Sequence, residues 1–185
     1  MFEPEKKYFV KLISTGHACA AAMSISGRLV KGLFFIIALV VGWGSSVYSG
    51  DVPEAVFERS ELTILSAGNR HHFRIEWAKT SAAHKRGLME RRHMDADAGM
   101  LFDFAKSRQV YMWMKNTYIA LDMLFVDRSG DIVGIAANTT PHSTKVIASP
   151  GKVLAVLELN AGTASRLSIK VGDMVSHEIF GTLSE

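Results

Sequence analysis

The chain has 185 residues with 21 Lys and Arg, 18 Asp and Glu, and a single cysteine, Cys19. Five of the basic and two of the acidic residues precede Gly50, which leaves 16 of each sign in the rest of the chain. Because the two signs balance, this part of the chain gives no indication of the basic face that a nucleic-acid binder needs, and we expect no nucleic-acid partner. This part of the chain also contains no cysteine, so it can form neither disulfides nor Cys-based zinc sites.

The N-terminal segment has the layout of a secretory signal peptide. Two basic residues, Arg28 and Lys31, precede a short apolar run that ends at Val41, and small and polar residues follow. The run is shorter than the ~20 apolar residues that a membrane-spanning helix needs. We predict that residues 1–49 are a signal peptide cleaved after Ser49, so that the protein is exported to the periplasm or the extracellular space. The alternative is an uncleaved N-terminal anchor, and only this segment is expected to contact the membrane.

Residues 1–22 place a long polar leader ahead of the charged region, which is unusual for a signal peptide. Met23 opens a stretch with ordinary signal-peptide proportions. We therefore predict that translation starts at Met23, which mass spectrometry of the uncleaved precursor would test. Residues 50–60 contain Pro53 and are predicted to be a linker, and residues 61–185 are predicted to form a single β domain.

Short segments with β character, separated by turn signals, fill the predicted domain. Strands are predicted at residues 62–65 and 72–77, the second because its apolar and polar residues alternate. Thr80 suits a helix N-cap and predicts a helix over residues 80–89. The elements predicted after it are strands from residue 99 and at 109–115, a hairpin of 120–126 with 131–136, a strand at 152–159, a helical turn at 161–167, and a strand at 174–179. This order predicts a mainly β fold, an antiparallel sandwich or barrel with one or two short helices.

Seven short sequence blocks follow one another along this body. They are Ala78-x-Thr80, Gly87-Leu88-Met89-x-Arg91, Gly99-Met100-Leu101-Phe102, Trp113-Met114-Lys115-Asn116-Thr117, Leu121-Asp122-Met123-x-Phe125, Val156-Leu157-Glu158-Leu159 with Gly162, and Gly172-Asp173. Together they resemble the domain of unknown function 192 family, from about Phe73 to Ile179. The resemblance implies a compact, jelly-roll-like β fold, often exported, with no established enzymatic activity. The family often has proline before the Leu-Asp pair, where this chain has Ala120.

A lone lysine, Lys115, lies in an otherwise apolar and aromatic segment. On a strand over residues 109–115, Lys115 shares one face with Tyr111 and Trp113, because side chains alternate between the faces of a strand. These three residues could form one wall of a ligand pocket, with Trp113 stacking on the ligand and Lys115 binding an anionic group. In the alternative, Lys115 packs its stem over an aromatic ring and leaves its ammonium group in water.

Asp122 and Glu158 are isolated carboxylates inside apolar runs, where burial without a partner is costly. Asp122 could point into a cleft or cap the backbone of a nearby turn, and Glu158 poses the same question. Arg91 would add a positive charge, and Asn116 would supply two hydrogen bonds. We predict that one concavity gathers a set of ligand-binding residues, although purely structural ion pairs give the same pattern. The set is Arg91, Trp113, Lys115, Asn116, Asp122 and Glu158.

No serine hydrolase, zinc protease or phosphate-loop motif occurs, so no cofactor is expected. No metal site is expected either, because the seven methionines of the body suit core packing, with Cu(I) binding beside His93 and His142 as the alternative. We predict an exported domain that binds a small molecule or a cell-envelope component. One alternative is an enzyme that uses Asp122 or Glu158 as a general acid or base, with Lys115 tuning its pKa. Another is a protein-interaction scaffold of the cell envelope, which would expose an apolar patch.

Overall fold

A computed structural model describes residues 55–182, so the predicted signal peptide and the start of the predicted linker lie outside the described residues. The strands are β1 (Glu58–Ser66), β2 (Asn69–Ala78), β3 (Ala98–Arg108), β4 (Tyr111–Met112), β5 (Leu121–Val126), β6 (Ile132–Ala136), β7 (Ile147–Ala148), β8 (Val153–Asn160) and β9 (Met174–Ser176). The helices are α1 (Ser81–Arg86) and α2 (Thr163–Arg166), and a 3₁₀ turn spans Glu178–Phe180. The fold is mainly β, as predicted. In the part of the chain that is described, no helix is long and apolar enough to span a membrane.

Seven strands form one sheet in the order β6-β5-β8-β3-β2-β1-β9, and β4 pairs with β7 in a separate two-stranded sheet. The predicted hairpin of β5 and β6 is confirmed by their antiparallel register. β2 and β3 run parallel, so the prediction of an antiparallel arrangement is wrong for this pair. The reason is that residues 79–97, which include α1, are long enough to carry the chain back across the sheet before β3 begins.

Backbone hydrogen bonds join the two outer strands of the large sheet. Val175 N donates to Gly130 O at 2.7 Å, and Ile132 N donates to Asp173 O at 2.9 Å. Gly172 N in turn donates to Ile132 O at 2.9 Å. The sheet therefore curls until β6 and β9 meet over a short stretch. The jelly-roll arrangement implied by the family resemblance stays a prediction.

Buried apolar side chains cover both faces of the sheet. One cluster contains Leu124 of β5 and Leu157 of β8, and the other contains Phe125 of β5 and Val156 of β8. Neighbouring residues of a strand thus belong to opposite faces, as the alternation of side chains requires. We call the second face, which α1 covers, the methionine face, because it buries Met94, Met100, Met114 and Met123.

Two elements around α1 and β4 are shorter than predicted. Thr80 Oγ1 accepts from Ala83 N at 3.1 Å, which confirms the N-cap. The helix ends at Arg86 because Gly87 has a φ of 44°, where the helix cannot continue. The strand predicted at 109–115 stops at Met112, because the chain turns through Asn116, whose φ is 56°. β7 was not predicted, and β1 begins inside the predicted linker.

Candidate functional site

A cavity of about 240 Å³ lies on the methionine face of the sheet, between α1 and the segment that includes β4. Its floor includes Glu158 of β8, and we call it the Glu158 pocket. The residues that line it are His84, Lys85, Arg86, Gly87, Leu88, Met89, Phe102, Phe104, Arg108, Tyr111, Met112, Trp113, Lys115, Thr117 and Glu158. Its walls therefore combine apolar and aromatic side chains with several cationic ones.

Glu158 lies on the strand between β3 and β5, where Met100 and Met123 are its cross-strand neighbours. Its side chain is only 4% exposed, and among the described residues its carboxyl group has no hydrogen-bond or ion-pair partner. Burial therefore raises the pKa of Glu158 from 4.5 to about 8, since desolvation penalises the carboxylate. At neutral pH the group is mostly a neutral acid, which can donate one hydrogen bond and accept others.

Cationic side chains surround the mouth of the pocket. Lys85, Arg86, Arg108 and Lys115 all line it and are all solvent-exposed, and Glu158 is the one acidic residue among the lining residues that the structure describes. The Arg108 guanidinium carbon lies 4.9 Å from the centre of the Phe104 ring. The Lys115 ammonium group makes no ion pair, hydrogen bond or cation–π contact within residues 55–182. The mouth is thus electropositive and its charges are available to a ligand.

Aromatic rings form much of the wall. Tyr111 is 62% and Trp113 is 52% exposed at the mouth. The His84 ring lies 5.9 Å from Phe102 and 5.1 Å from Phe104, centre to centre. Its Nε2 lies 2.9 Å from a backbone carbonyl oxygen at the end of β2, which can only accept, so Nε2 carries a proton. In the neutral ring, Nδ1 is therefore the acceptor.

Asp122 lies on the opposite face of the sheet from Glu158, because it pairs with Leu159 and not with Glu158 in the register of β5 and β8. Its carboxylate is fully buried and accepts from Asn138 N and from Ala164 N, each at 2.9 Å. These bonds hold the loop after β6 and the start of α2. Asp122 therefore caps backbone N–H groups of nearby turns, which was one of the two roles considered for it. It does not reach the Glu158 pocket.

Arg91 and Asn116 also lie outside the Glu158 pocket. Arg91 forms a bidentate ion pair with Glu76, with both N–O distances at 2.6 Å, in a separate concavity between β1, β2 and the loop before β3. Hydrogen bonding to Glu76 raises the pKa of Arg91. Asn116 is exposed, and its backbone oxygen accepts from Glu90 N at 2.8 Å. Both residues are thus tied into turns and ion pairs of their own.

The single concavity predicted for all six residues is therefore divided. The fold brings Trp113, Lys115 and Glu158 together. Asp122 is separated from them because it lies on the other face of the sheet. Arg91 lies in the second concavity beside Glu76, and Asn116 lies in the turn after β4. The ligand-binding role of the first three stays a prediction.

Sequence reasoning missed the half of the pocket that α1 and β3 contribute. His84, Lys85 and Arg86 form the last turn of α1, and Phe104 and Arg108 come from the end of β3. The only sequence feature that indicated this part of the pocket was the run of three basic residues directly before Gly87. That run did not show that these residues lie beside Glu158, because their position depends on the path of the chain from β2 to β3.

The described residues contain no group of three or more His, Cys, Asp or Glu that could hold a metal ion. Met100, Met114 and Met123 are at most 1% exposed and belong to the apolar core of the methionine face. For these three residues, the interpretation as core packing is confirmed.

Comparisons with known proteins identify the family. The model of the DUF192 family, described as Uncharacterized ACR, matches residues 63–177. No curated protein matches the chain. A solved structure of a candidate transcription regulator from Sinorhizobium meliloti 1021 is 43% identical with a TM-score of 0.66, and the match covers 68% of this chain and 98% of that one. A protein of unknown function from Novosphingobium aromaticivorans DSM 12444 is 38% identical with a TM-score of 0.65, covering 68% of this chain and 89% of that one. The chain therefore belongs to the DUF192 family, as its sequence blocks predicted.

Proposed function

We propose that this protein is a small-molecule-binding domain whose ligand enters the Glu158 pocket. The observation that carries the proposal is that Glu158 is 4% exposed, lines a cavity, and has no hydrogen-bond or ion-pair partner for its carboxyl group among the described residues. A ligand that enters the cavity can supply the hydrogen-bond partner that these residues do not.

The mouth of the pocket suits the roles proposed for Trp113 and Lys115. Trp113 offers an exposed ring for stacking, and Lys115 offers an unpaired ammonium group for an anionic group of the ligand. The cavity of about 240 Å³ lies below the ~300–1,000 Å³ of pockets for drug-sized ligands, which favours a small ligand. Tyr111 and Trp113 are exposed and line this cavity, so their rings are placed to contact a ligand that enters it.

General acid catalysis is a second candidate function for the same pocket. The pKa of Glu158 is raised to about 8, so the group is protonated near neutral pH and suits the donation of a proton to a reacting group. Lys115 lines the same cavity and would stabilise negative charge that develops there. Consumption of a bound compound by the wild type, and its loss in Glu158→Gln, would favour this candidate over simple binding.

The description of the Sinorhizobium relative as a candidate transcription regulator raises DNA as a possible ligand. Common DNA-binding motifs insert a recognition helix into the major groove. In the described part of this chain, α1 has six residues and α2 has four, which is fewer than two helical turns each. Residues 50–185 also carry 16 basic and 16 acidic residues. These features support a small ligand over a nucleic acid.

Export to the periplasm or the extracellular space also remains our proposal. It is supported by the layout of residues 1–49, which has basic residues, a short apolar run and then small residues. N-terminal sequencing of the protein recovered from the periplasmic fraction tests it. A sequence that begins at Gly50 would support cleavage after Ser49, and an intact leader in the membrane fraction would support the anchor instead.

A thermal-shift screen against a library of cell-envelope metabolites, followed by NMR titration of the hits, tests the binding proposal. We expect at least one compound to raise the melting temperature of the wild type and to raise that of Lys115→Ala less. Lys170→Ala is the matched control, because Lys170 is an exposed lysine that does not line the pocket. Hits that act equally on all three proteins, or that perturb only resonances far from Glu158, would count against the proposal.

A further inference from the structure

The charge pattern of the Glu158 pocket specifies a ligand class. We propose that the pocket binds a small amphipathic anion, about one substituted ring in size, whose negative group stays at the cationic mouth and whose neutral polar group meets the Glu158 carboxyl. This inference rests on the proposed function, since it names the ligand for the same pocket.

The sign of the mouth decides between two kinds of ligand. A buried carboxyl group without a partner would, by itself, suit a cationic ligand. Such a ligand would have to pass Lys85, Arg86, Arg108 and Lys115, all of which line the pocket and are exposed. A cleft lined by one sign of charge concentrates ligands of the opposite sign and repels those of its own sign. The negative group of the ligand therefore belongs at the mouth.

The size and walls of the pocket limit the middle of the ligand. An engineered apolar cavity of ~150 Å³ holds one benzene molecule. The Glu158 pocket, at about 240 Å³, has room for one ring and a short substituent at each end. Leu88, Phe102, Phe104 and Met112 supply apolar and aromatic surface for that ring. A flat apolar ring therefore matches the space between the mouth and the floor.

The floor of the pocket selects a neutral polar group. The pKa of Glu158 is raised to about 8, so at neutral pH the acid donates a hydrogen bond and also accepts one. A hydroxyl group complements both functions, because it too can donate and accept. A methyl group at the same position would leave the carboxyl group unsatisfied, and this loss gives the specificity.

The pH dependence of binding comes from Glu158. The other charged and titratable groups of the pocket are His84, Lys85 and Arg86 from α1, Arg108 from β3, Tyr111 from β4 and Lys115 from the loop after β4, whereas the flanking strands present Met100 and Met123. The lysine and arginine side chains favour an anionic ligand. Ionisation of Glu158 above pH 8 removes the donor and adds a negative charge facing the ligand, so affinity falls there.

Three matched probes test the ligand class by calorimetry and NMR titration of the purified protein at pH 6.5. They are 4-(hydroxymethyl)benzoate, 4-methylbenzoate, which lacks the hydroxyl group, and 4-(hydroxymethyl)benzylamine, which reverses the charge. We expect 4-(hydroxymethyl)benzoate to bind at least tenfold more tightly than either of the other two, and to perturb the resonances of Trp113 and Glu158. Lys115→Ala should weaken it severalfold, whereas Lys170→Ala should leave it unchanged.

A pH series separates the role of Glu158 from general electrostatics. Between pH 6.5 and pH 9, the affinity of the wild type for 4-(hydroxymethyl)benzoate should fall about tenfold, since ionisation removes ~90% of the protonated form one pH unit above the pKa of about 8. Glu158→Gln keeps a neutral hydrogen-bonding group and should show no such fall. Circular dichroism at each pH verifies that both proteins remain folded.

The outcomes distinguish this inference from the proposed function. Tighter binding of the benzylamine in the Glu158 pocket would overturn the anion inference and leave the proposed function standing. Equal binding of 4-methylbenzoate, or parallel pH profiles for wild type and Glu158→Gln, would overturn the role of the carboxyl group. If none of the three probes perturbs the pocket, the inference is wrong, and the metabolite screen alone decides the proposed function.

Discussion

Glu158→Gln replaces a buried carboxyl group by a neutral amide of the same shape, so it isolates the free energy of ionising this group. The pKa of Glu158 is 4.5 when exposed and about 8 in the folded protein. Between these pH values the folded state holds a proton that the unfolded state has released, so the stability of the wild type falls as the pH rises. The slope is ~1.4 kcal/mol per pH unit, or about 5 kcal/mol over the whole interval. The Gln variant lacks this slope.

Other groups titrate in the same range, and the difference between the two proteins removes them. Burial lowers the pKa of His177 below 6.5. The unfolded state therefore binds this proton more readily, and the contribution of His177 to stability rises with pH, opposite in sign to that of Glu158. Both proteins contain His177, so its contribution cancels when the free energies of unfolding are subtracted.

Urea unfolding at half-unit steps from pH 5 to pH 7.5 measures this difference. We expect the Gln variant to gain about 3 kcal/mol relative to the wild type between these two limits, as the two pKa values require. Glu158→Met, which resembles the neighbouring Met100 and Met123, is a second variant without the slope and serves if the amide is poorly accommodated. Parallel stability curves for wild type and both variants would refute the reasoning, since they would mean that Glu158 ionises normally in the folded state.

Four further substitutions, one of them a control, test other parts of the structure. Asp122→Ala should lower the free energy of unfolding in urea by about 3 kcal/mol, because two buried backbone N–H groups lose their carboxylate acceptor; a change below the error of the assay would contradict this. Arg91→Ala removes the ion pair with Glu76, in which the two side chains are 32% and 30% exposed. Thermal unfolding should show a loss of stability of about 1 kcal/mol at low salt and a smaller loss at high salt. Gly99→Ala would place a Cβ 2.8 Å from a backbone oxygen of β8 and should destabilise by ~2 kcal/mol, whereas Gly151→Ala, with open space around it, should change stability by less than ~0.5 kcal/mol. Equal effects of the two glycine substitutions in parallel denaturant titrations would show that this crowding is relieved at no cost.

Sequence patterns with local causes predicted much of the fold. The alternation over His72–Trp77 predicted β2, and the turn signals at residues 127–130 predicted the hairpin of β5 and β6. Thr80 predicted its own capping bond. Each of these features depends on residues close together in the chain. The parallel pairing of β2 with β3 depends instead on where the crossover returns, which no local pattern specifies.

The candidate site was predictable only in part for the same reason. Trp113 and Lys115 are two residues apart and both line the pocket, although the strand from which their shared face was predicted ends at Met112. Glu158 was predicted to be a site residue because it interrupts an apolar strand. The face of the sheet on which its side chain lies follows only from its pairing with Met100 and Met123. A carboxylate such as Asp122, which interrupts a strand in the same way, lies on the other face and has a structural role.

The hydrogen bonds between β6 and β9 have a consequence for behaviour at high concentration. An outer strand with free N–H and C=O groups is a template on which a second molecule can add a strand, and it promotes aggregation. Here the stretch around Gly130 and Ile132 is occupied by residues 172–175 of the same chain. A substitution that removes these hydrogen bonds, such as Val175→Pro, would expose backbone N–H and C=O groups of both β6 and β9. Intermolecular strand addition would then compete with folding, and a loss of soluble yield would precede any loss of secondary structure.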